Sequence, residues 1–157
     1  MSDPLREHLV ALLSGHGAHI SFEEAMTDFP SSLRGLKPAG APHTAWQLLE
    51  HLRIAQWDIL EFSRNPRHKS PDWPEGYWPA TKGPPSEHAW DESVQKYKAD
   101  LKAMQALVSD EKLDLYAPLP RGEGQTLLRE ALVLADHNSY HLGQIMYLRK
   151  QLVAAQE

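Results

Sequence analysis

Gln125–Leu152 reads QTLLREALVLADHNSYHLGQIMYLRKQL, and its apolar residues decide the fold class. Leu128, Ala131, Leu132, Ala135, Leu142, Ile145, Leu148 and Leu152 recur at the three- and four-residue spacing that lines one face of an α-helix. Working outward, Tyr116–Gly124 is a loop closed by Pro118, Pro120, Gly122 and Gly124. Before it, Trp90, Val94, Tyr97, Leu101, Met104 and Leu107 share a helical face, predicting a helix from Glu87 to Val108 capped by Ser86. Another is expected from a Thr44/Gln47 capping box to Arg64, with Leu48, Leu52, Ala55, Ile59 and Phe62 as its stripe. The first long helix runs from Pro4 to Ser14 with Leu5, Leu9, Leu12 and Leu13 at helical spacing, and Gly15 and Gly17 end it. Ser21 and Glu24 form a second capping box, opening a short helix that stops before Pro30, as a separate turn or a kinked continuation. Four long amphipathic helices without a credible strand predict an all-α, four-helix bundle. At 157 residues with 41% hydrophobic content, one core and a single domain over 1–157 are expected.

The connection between the second and third long helices sets the expected topology. It runs over the 21 residues Asn65–Pro85, far beyond the roughly 2–8 that join antiparallel neighbours in bundles. Six prolines (Pro66, Pro71, Pro74, Pro79, Pro84 and Pro85) exclude a regular helix there. Trp73, Tyr77 and Trp78 predict an ordered loop packed on the bundle. A crossover of this kind makes its two flanking helices parallel and gives an up-down-down-up arrangement. His51 then lies about 10 Å into its helix and His141 about 15 Å from the end of the last one, so both reach similar depth.

Composition excludes several functions. With no cysteine there is no disulfide, thiolate nucleophile, zinc ribbon or iron–sulfur cluster, so any metal must take nitrogen and oxygen ligands. Sixteen basic against 21 acidic residues give a net charge of −5 without a Lys/Arg cluster, and nucleic acid is not an expected partner. Met1-Ser2-Asp3-Pro4 has no basic segment leading into an apolar core, and no stretch is apolar for long enough to cross a bilayer. A soluble, cytoplasmic protein without membrane partners is the expectation.

The chemistry centres on Asp136-His137-Asn138-Ser139-Tyr140-His141. Histidines four apart on a helix stack on one face, close enough to share an ion. A third ligand must come from another helix, and His51, beside Leu48, Leu52 and Ala55, is the best candidate. Three neutral imidazoles leave a coordination position open for water or for a substrate's sulfur or carbonyl oxygen, the arrangement of a catalytic rather than a structural site. The same spacing also arises by chance in a chain with nine histidines. His8, His16, His19, His43, His68 and His88 are expected on surfaces or at helix ends, with His43 and His88 flanking the metal end.

Three segments together resemble the DinB superfamily over nearly the whole chain. They are Leu48-Leu49-Glu50-His51-Leu52, the loop Ser70-Pro71-Asp72-Trp73-Pro74-Glu75-Gly76-Tyr77-Trp78-Pro79, and Asp136-His137-Asn138-Ser139-Tyr140-His141-Leu142-Gly143-Gln144-Ile145. The resemblance implies an up-down-down-up four-helix bundle, frequently a homodimer, with nickel, zinc or a similar divalent ion on His51, His137 and His141. It also implies small-molecule chemistry. The family includes thiol-dependent S-transferases and a mycothiol-dependent isomerase, beside many members described only as metal-dependent hydrolases. A low-molecular-weight thiol is therefore an implied co-substrate, and fold and ligands transfer better than the reaction does.

Several neighbours complete the expected site. Gln47 and Gln144, each one turn from a histidine, can bond a metal ligand or the far nitrogen of an imidazole. Asp136 projects about 100° away from His137 and is read as solvent-facing or bonded to another helix. Trp73, Tyr77 and Trp78 either wall a pocket or anchor the loop. Gly143 is expected where a neighbouring helix approaches closely. Two function classes follow: an enzyme in which the ion activates water or a thiol, and a non-catalytic metal-binding stress-response or interaction module.

Overall fold

The computed structural model describes residues 3–15, 17–120 and 122–156. They form five α-helices, α1 (Pro4–Leu13), α2 (Phe22–Met26), α3 (Ala45–Arg64), α4 (Glu87–Ser109) and α5 (Leu127–Ala154), with 3-10 turns at Ser31–Leu33 and Glu75–Tyr77. There is no strand among the described residues; a single β-bridge joins Pro118 to Thr126. α3 packs against both α4 and α5, and α1 lies against α4 and α5, giving a helical bundle. His16, expected at a surface, lies outside the described residues.

Local chemistry sets the helix starts. Asp3 accepts from the Leu5 N–H ahead of Pro4, satisfying a donor that the first turn leaves open. Both capping boxes form, Ser21 with Glu24 and Thr44 with Gln47. Gly15, at φ +69°, turns the chain away after α1, so α2 is a separate helix. Its last carbonyls face α5, where the Arg149 guanidinium donates to the Ala25, Thr27 and Asp28 oxygens at 2.9–3.0 Å.

The stripe of α5 differs from expectation in part. Ala131, Ala135, Leu142, Ile145, Leu148 and Leu152 are buried, but so are Leu127 and Leu134, whereas Leu132 is 45% exposed. At about 100° per residue, a position next to Ala131 must turn off the inward face, and Leu132 does so. Gly143 is likewise solvent-exposed, and a Cβ there would meet nothing within 4 Å. It is not a close-packing point.

Two clusters fill the interior. One joins α2–α5 through Phe22, Phe29, Trp46, Trp90 and Tyr97 with Leu49, Leu52, Ile145 and Leu148. The other is aliphatic, from Leu9 and Leu13 through Leu60, Met104, Val108, Leu115 and Leu134. Between them Gln56, fully buried, donates to the Tyr97 carbonyl at 2.6 Å and accepts from Asn138 at 3.0 Å, joining three helices through buried polar groups, with the Asn138 Oδ1 left without a hydrogen-bond partner.

The 65–85 segment is held against α3 along its length. His68 bonds Asp58, the Tyr77 carbonyl meets His51, Thr81 accepts from the Trp46 indole, and the Lys82 carbonyl accepts from Thr44. Trp78 packs against the core and Tyr77 bonds Asp58, as expected of loop anchors, whereas Trp73 is 72% exposed and anchors nothing in the interior.

Candidate metal centre

Helix periodicity brings His137 and His141 onto one side of α5, with ring centroids 4.6 Å apart. α3 delivers His51 opposite them, at 5.0 Å from His137 and 4.6 Å from His141. One ring nitrogen from each residue lies within 4.8 Å of the other two. His51 and His141 are buried and His137 is half-buried. All three predicted ligands therefore meet in one place.

The geometry tells which nitrogens are left over. The His51 Nδ1 lies 3.0 Å from the Tyr77 carbonyl oxygen, an acceptor only, so the ring proton sits on Nδ1 and Nε2 carries the lone pair. The His141 Nδ1 is 2.7 Å from Gln144 Oε1, again an oxygen that can only accept, which leaves its Nε2 as a lone pair too. Gln144 thus fills the role expected of it. Such bonds on the far nitrogen fix both tautomer and ring direction in histidine metal sites.

The His137 Nε2 lies 3.1 Å from the His51 Nε2. Two nitrogens bonded at about 2.0–2.1 Å to one tetrahedral ion stand about 3.3 Å apart, so this separation suits a shared cation. Burial lowers the His51 pKa to about 4, helped by His141 and His43 and opposed by the Tyr77 carbonyl. His137 also falls to about 4, through burial and then the neighbouring His141 and His51. His141 is lowered, mainly by burial. Neutral imidazoles at ordinary pH are what a metal requires, and the donor set fits a divalent ion of the zinc or nickel type.

Carboxylates are committed elsewhere. Asp58 accepts from Tyr77 Oη at 2.6 Å and bonds His68 Nε2 at 2.7 Å. Glu50, beside His51 in sequence, takes two bonds from Arg53 and one from Ser93. Asp136 is exposed, as expected of a residue turned away from the imidazole face.

The surroundings correct some expectations. Trp78 walls the site, its ring stacked on His51 at 3.9 Å with planes 2° apart. His43 stacks on the same indole at 4.0 Å, so it belongs to the site rather than to the surface. His88 does not: its side chain is 81% exposed and pairs with Glu92. Gln47 spends its Oε1 on the Thr44 N–H as the capping box demands. His68, expected at a surface, is instead buried, with Trp57 edge-on at 5.0 Å. Sequence reasoning missed this Asp58–His68 pair and the Tyr77 carbonyl. A histidine in a proline-rich stretch gives no periodic signal, and any residue type can offer a carbonyl.

A family model for the DinB superfamily matches residues 17–145, a span that contains the three histidines and the whole 65–85 loop. No curated protein and no solved structure matches the chain. With most of its length covered and its imidazole cluster inside the match, the chain belongs to the DinB superfamily.

Proposed function

We propose that the protein is a metal-dependent enzyme acting on a small molecule, a hydrolase or a thiol-dependent S-transferase, with His51, His137 and His141 as ligands of one nickel or zinc ion. The observation that carries this reading is the 3.1 Å approach of two imidazole Nε2 atoms inside a buried three-histidine cluster. The His51 Nε2 lone pair faces either a cation shared with His137 or the one N–H of a neutral His137, and the first fits the three-ring cluster, in which the His141 Nε2 lone pair converges as well. Three protein ligands leave a position for a further one, and an ion there supplies Lewis-acid activation of water or of a low-molecular-weight thiol.

The chain's own residues orient and shield. The Tyr77 carbonyl and Gln144 aim two of the rings, and the Trp78 indole covers one face of His51 and keeps water from it. Among the described residues no carboxylate hydrogen-bonds the three imidazoles, so the proton released by water or thiol passes to solvent or substrate rather than to a paired acid.

The rest of the reading follows the same helices. An up-down-down-up arrangement in one domain is supported by bonds that rise together along α3 and α4 (Glu50 to Ser93, Gln56 to Tyr97). Along α3 and α5 they run oppositely, with Leu48 near Leu148 and His51 near His137. A homodimer through α5 is supported by Leu132, Val133, Tyr140 and Tyr147, exposed on one side of that helix with Gly143 between them. Among the described residues no helix is long and apolar enough to cross a membrane, which agrees with a cytoplasmic setting. The alternative is a metal-binding stress-response or interaction module without catalysis.

Metal analysis of untagged protein separates these. Near-stoichiometric nickel or zinc, lost in both His51→Ala and His137→Ala, supports the shared site, and turnover in a screen of thiol transfer and hydrolysis selects the enzyme. A folded wild type that takes up neither ion defeats the metal reading. A loaded protein without turnover favours the non-catalytic module.

A further inference from the structure

A cavity of about 350 Å³ lies between the 39–43 segment, α3 and α5, with Ala41, His43, Leu48, Gln144, Tyr147 and Leu148 in its wall. Two of these residues join it to the imidazole cluster. Gln144 accepts from His141, and His43 stacks on the Trp78 ring that covers His51. The size is at the lower end of small-molecule sites, about 300–1,000 Å³.

Its chemistry differs from that of the other described cavities. Those carry ionised side chains: Arg64 and Asp114 in one, Arg34 and Glu87 in another, Arg53, Lys96 and Asp100 in a third, Asp3, Arg6, Glu7 and Glu111 in a fourth. Among the described residues, the one beside the cluster has no Asp, Glu, Lys or Arg in its wall. Leu48 and Leu148, both almost fully buried, face it from opposite helices. Polar groups are confined to His43, Gln144, Gln151 and the Tyr147 hydroxyl. The Gln144 oxygen is spent on His141, leaving its amide N–H groups as donors toward the cavity. A cation lodged here would lose part of its hydration with no carboxylate in the wall to replace it, and an anion would find only the Lys37 ammonium, which is outside the wall and donates to the Pro42 carbonyl at 3.0 Å; an apolar group with one acceptor gives up least.

We infer that this cavity binds the uncharged, largely apolar portion of the substrate, with a hydrogen-bond acceptor directed to Gln144, and so selects neutral hydrophobic substrates for the neighbouring imidazole cluster. The inference rests on the enzymatic reading for its purpose, but the cavity's preference is a property of its walls and holds with or without the ion.

Three ring compounds of nearly equal size test it on the full chain at neutral pH: benzyl alcohol, benzylamine as the cation and benzoate as the anion. Amide chemical shifts are followed in metal-loaded and chelator-treated protein. Benzyl alcohol is expected to shift residues 39–43 and 144–151 in both forms, with benzylamine at least tenfold weaker. Benzoate is expected to bind only the loaded form. Ala41→Phe, which fills the cavity from the half-buried segment, should weaken benzyl alcohol at least tenfold and leave metal content unchanged; Gln151→Trp, at an exposed position, repeats the block should Ala41→Phe not fold.

Benzylamine binding as tightly as benzyl alcohol, no benzyl alcohol shifts at these residues, or undiminished binding in the blocked variants overturns the inference. A protein that takes no metal yet binds benzyl alcohol and loses it on blocking keeps the cavity and loses the metal reading. Metal uptake with no effect of blocking does the reverse.

Discussion

α3 carries two buried histidine-containing groups that solve the same problem differently. Near its middle, Asp58 is shared between His68 and the Tyr77 hydroxyl at 2.7 and 2.6 Å. Two turns earlier, His51 faces His137 and His141, with only nitrogen toward nitrogen. The first group contains its own donors and acceptor, and its hydrogen bonds close within the protein. In the second, the Nε2 atoms of His51 and His137 meet with no carboxylate between them, an approach that either a cation or a single N–H from His137 closes. Burying imidazole is therefore not by itself the sign of a metal site in this fold; what makes the second group able to hold an ion is that its imidazoles converge without a carboxylate. The two groups are also linked, because Tyr77 offers its hydroxyl to Asp58 and its carbonyl to His51. The self-satisfied pair holds the loop that orients the unsatisfied cluster.

The comparison breaks most clearly at His137. His137→Ala should reduce bound metal from about one equivalent to near zero and abolish the rise in melting temperature on adding zinc or nickel. That rise is worth about 4 kcal/mol at a thousandfold excess over Kd. Equal metal in His137→Ala and wild type, by mass spectrometry of the folded protein, would contradict the assignment.

Asp58→Ala attacks the other group. It leaves His68 and the Tyr77 hydroxyl without their shared acceptor, and a loss of roughly 3 kcal/mol is expected in urea unfolding. The folded fraction should still bind one metal ion. Should metal be lost while stability is untouched, Asp58 would belong to the metal centre and the contrast between the two groups would collapse.

Acid distinguishes the metal-free cluster in a further way. His51 and His137 titrate near 4 in the folded chain against an ordinary 6.5, so between those values the unfolded state binds more protons. Their contribution to stability is full above about 6.5 and is lost as pH falls toward 4, on the order of 3 kcal/mol, most of it from buried His51 once half-buried His137 is discounted for solvent. Metal should accordingly stay bound at pH 6 and leave as pH approaches 4. Metal release near pH 6.5, followed with a chromogenic chelator, would show that burial does not protect these rings.

The smallest effect is expected from Gln144→Leu. It removes the acceptor that aims His141 while keeping the side-chain volume, and metal affinity should fall about tenfold, or about 1.4 kcal/mol, with the melting temperature of the metal-free protein little changed. An unchanged affinity would mean that packing alone directs this ring.

Much of the fold and of the site is legible in the residues alone. The two capping boxes start α2 and α3 where the sequence puts them, because a cap is a bond between residues three apart and depends on nothing distant. Helical spacing likewise places His137 and His141 on one side of α5. The same periodicity misassigns Leu132, since it says which residues share a face but not how wide the covered face is, and the close approach expected at Gly143 from its missing side chain is not made within the chain. His68 escapes for the opposite reason: its partner Asp58 is ten residues back, across a turn whose path no local pattern specifies.

The sequence by itself determined the helical class, the helix starts, the DinB resemblance and the i, i+4 histidine pair, all of which rest on bonds and repeats within a few residues. Only the tertiary structure decided that the Tyr77 carbonyl orients His51 and that Trp78 ties His43 to His51. It also decided that a cavity joined to this cluster through Gln144 and His43 carries no charge in its described wall. The Tyr77 and Trp78 placements depend on where a 21-residue loop returns along α3, and the cavity on how the 39–43 segment meets α3 and α5; both paths are set by many distant contacts rather than by any neighbouring residue.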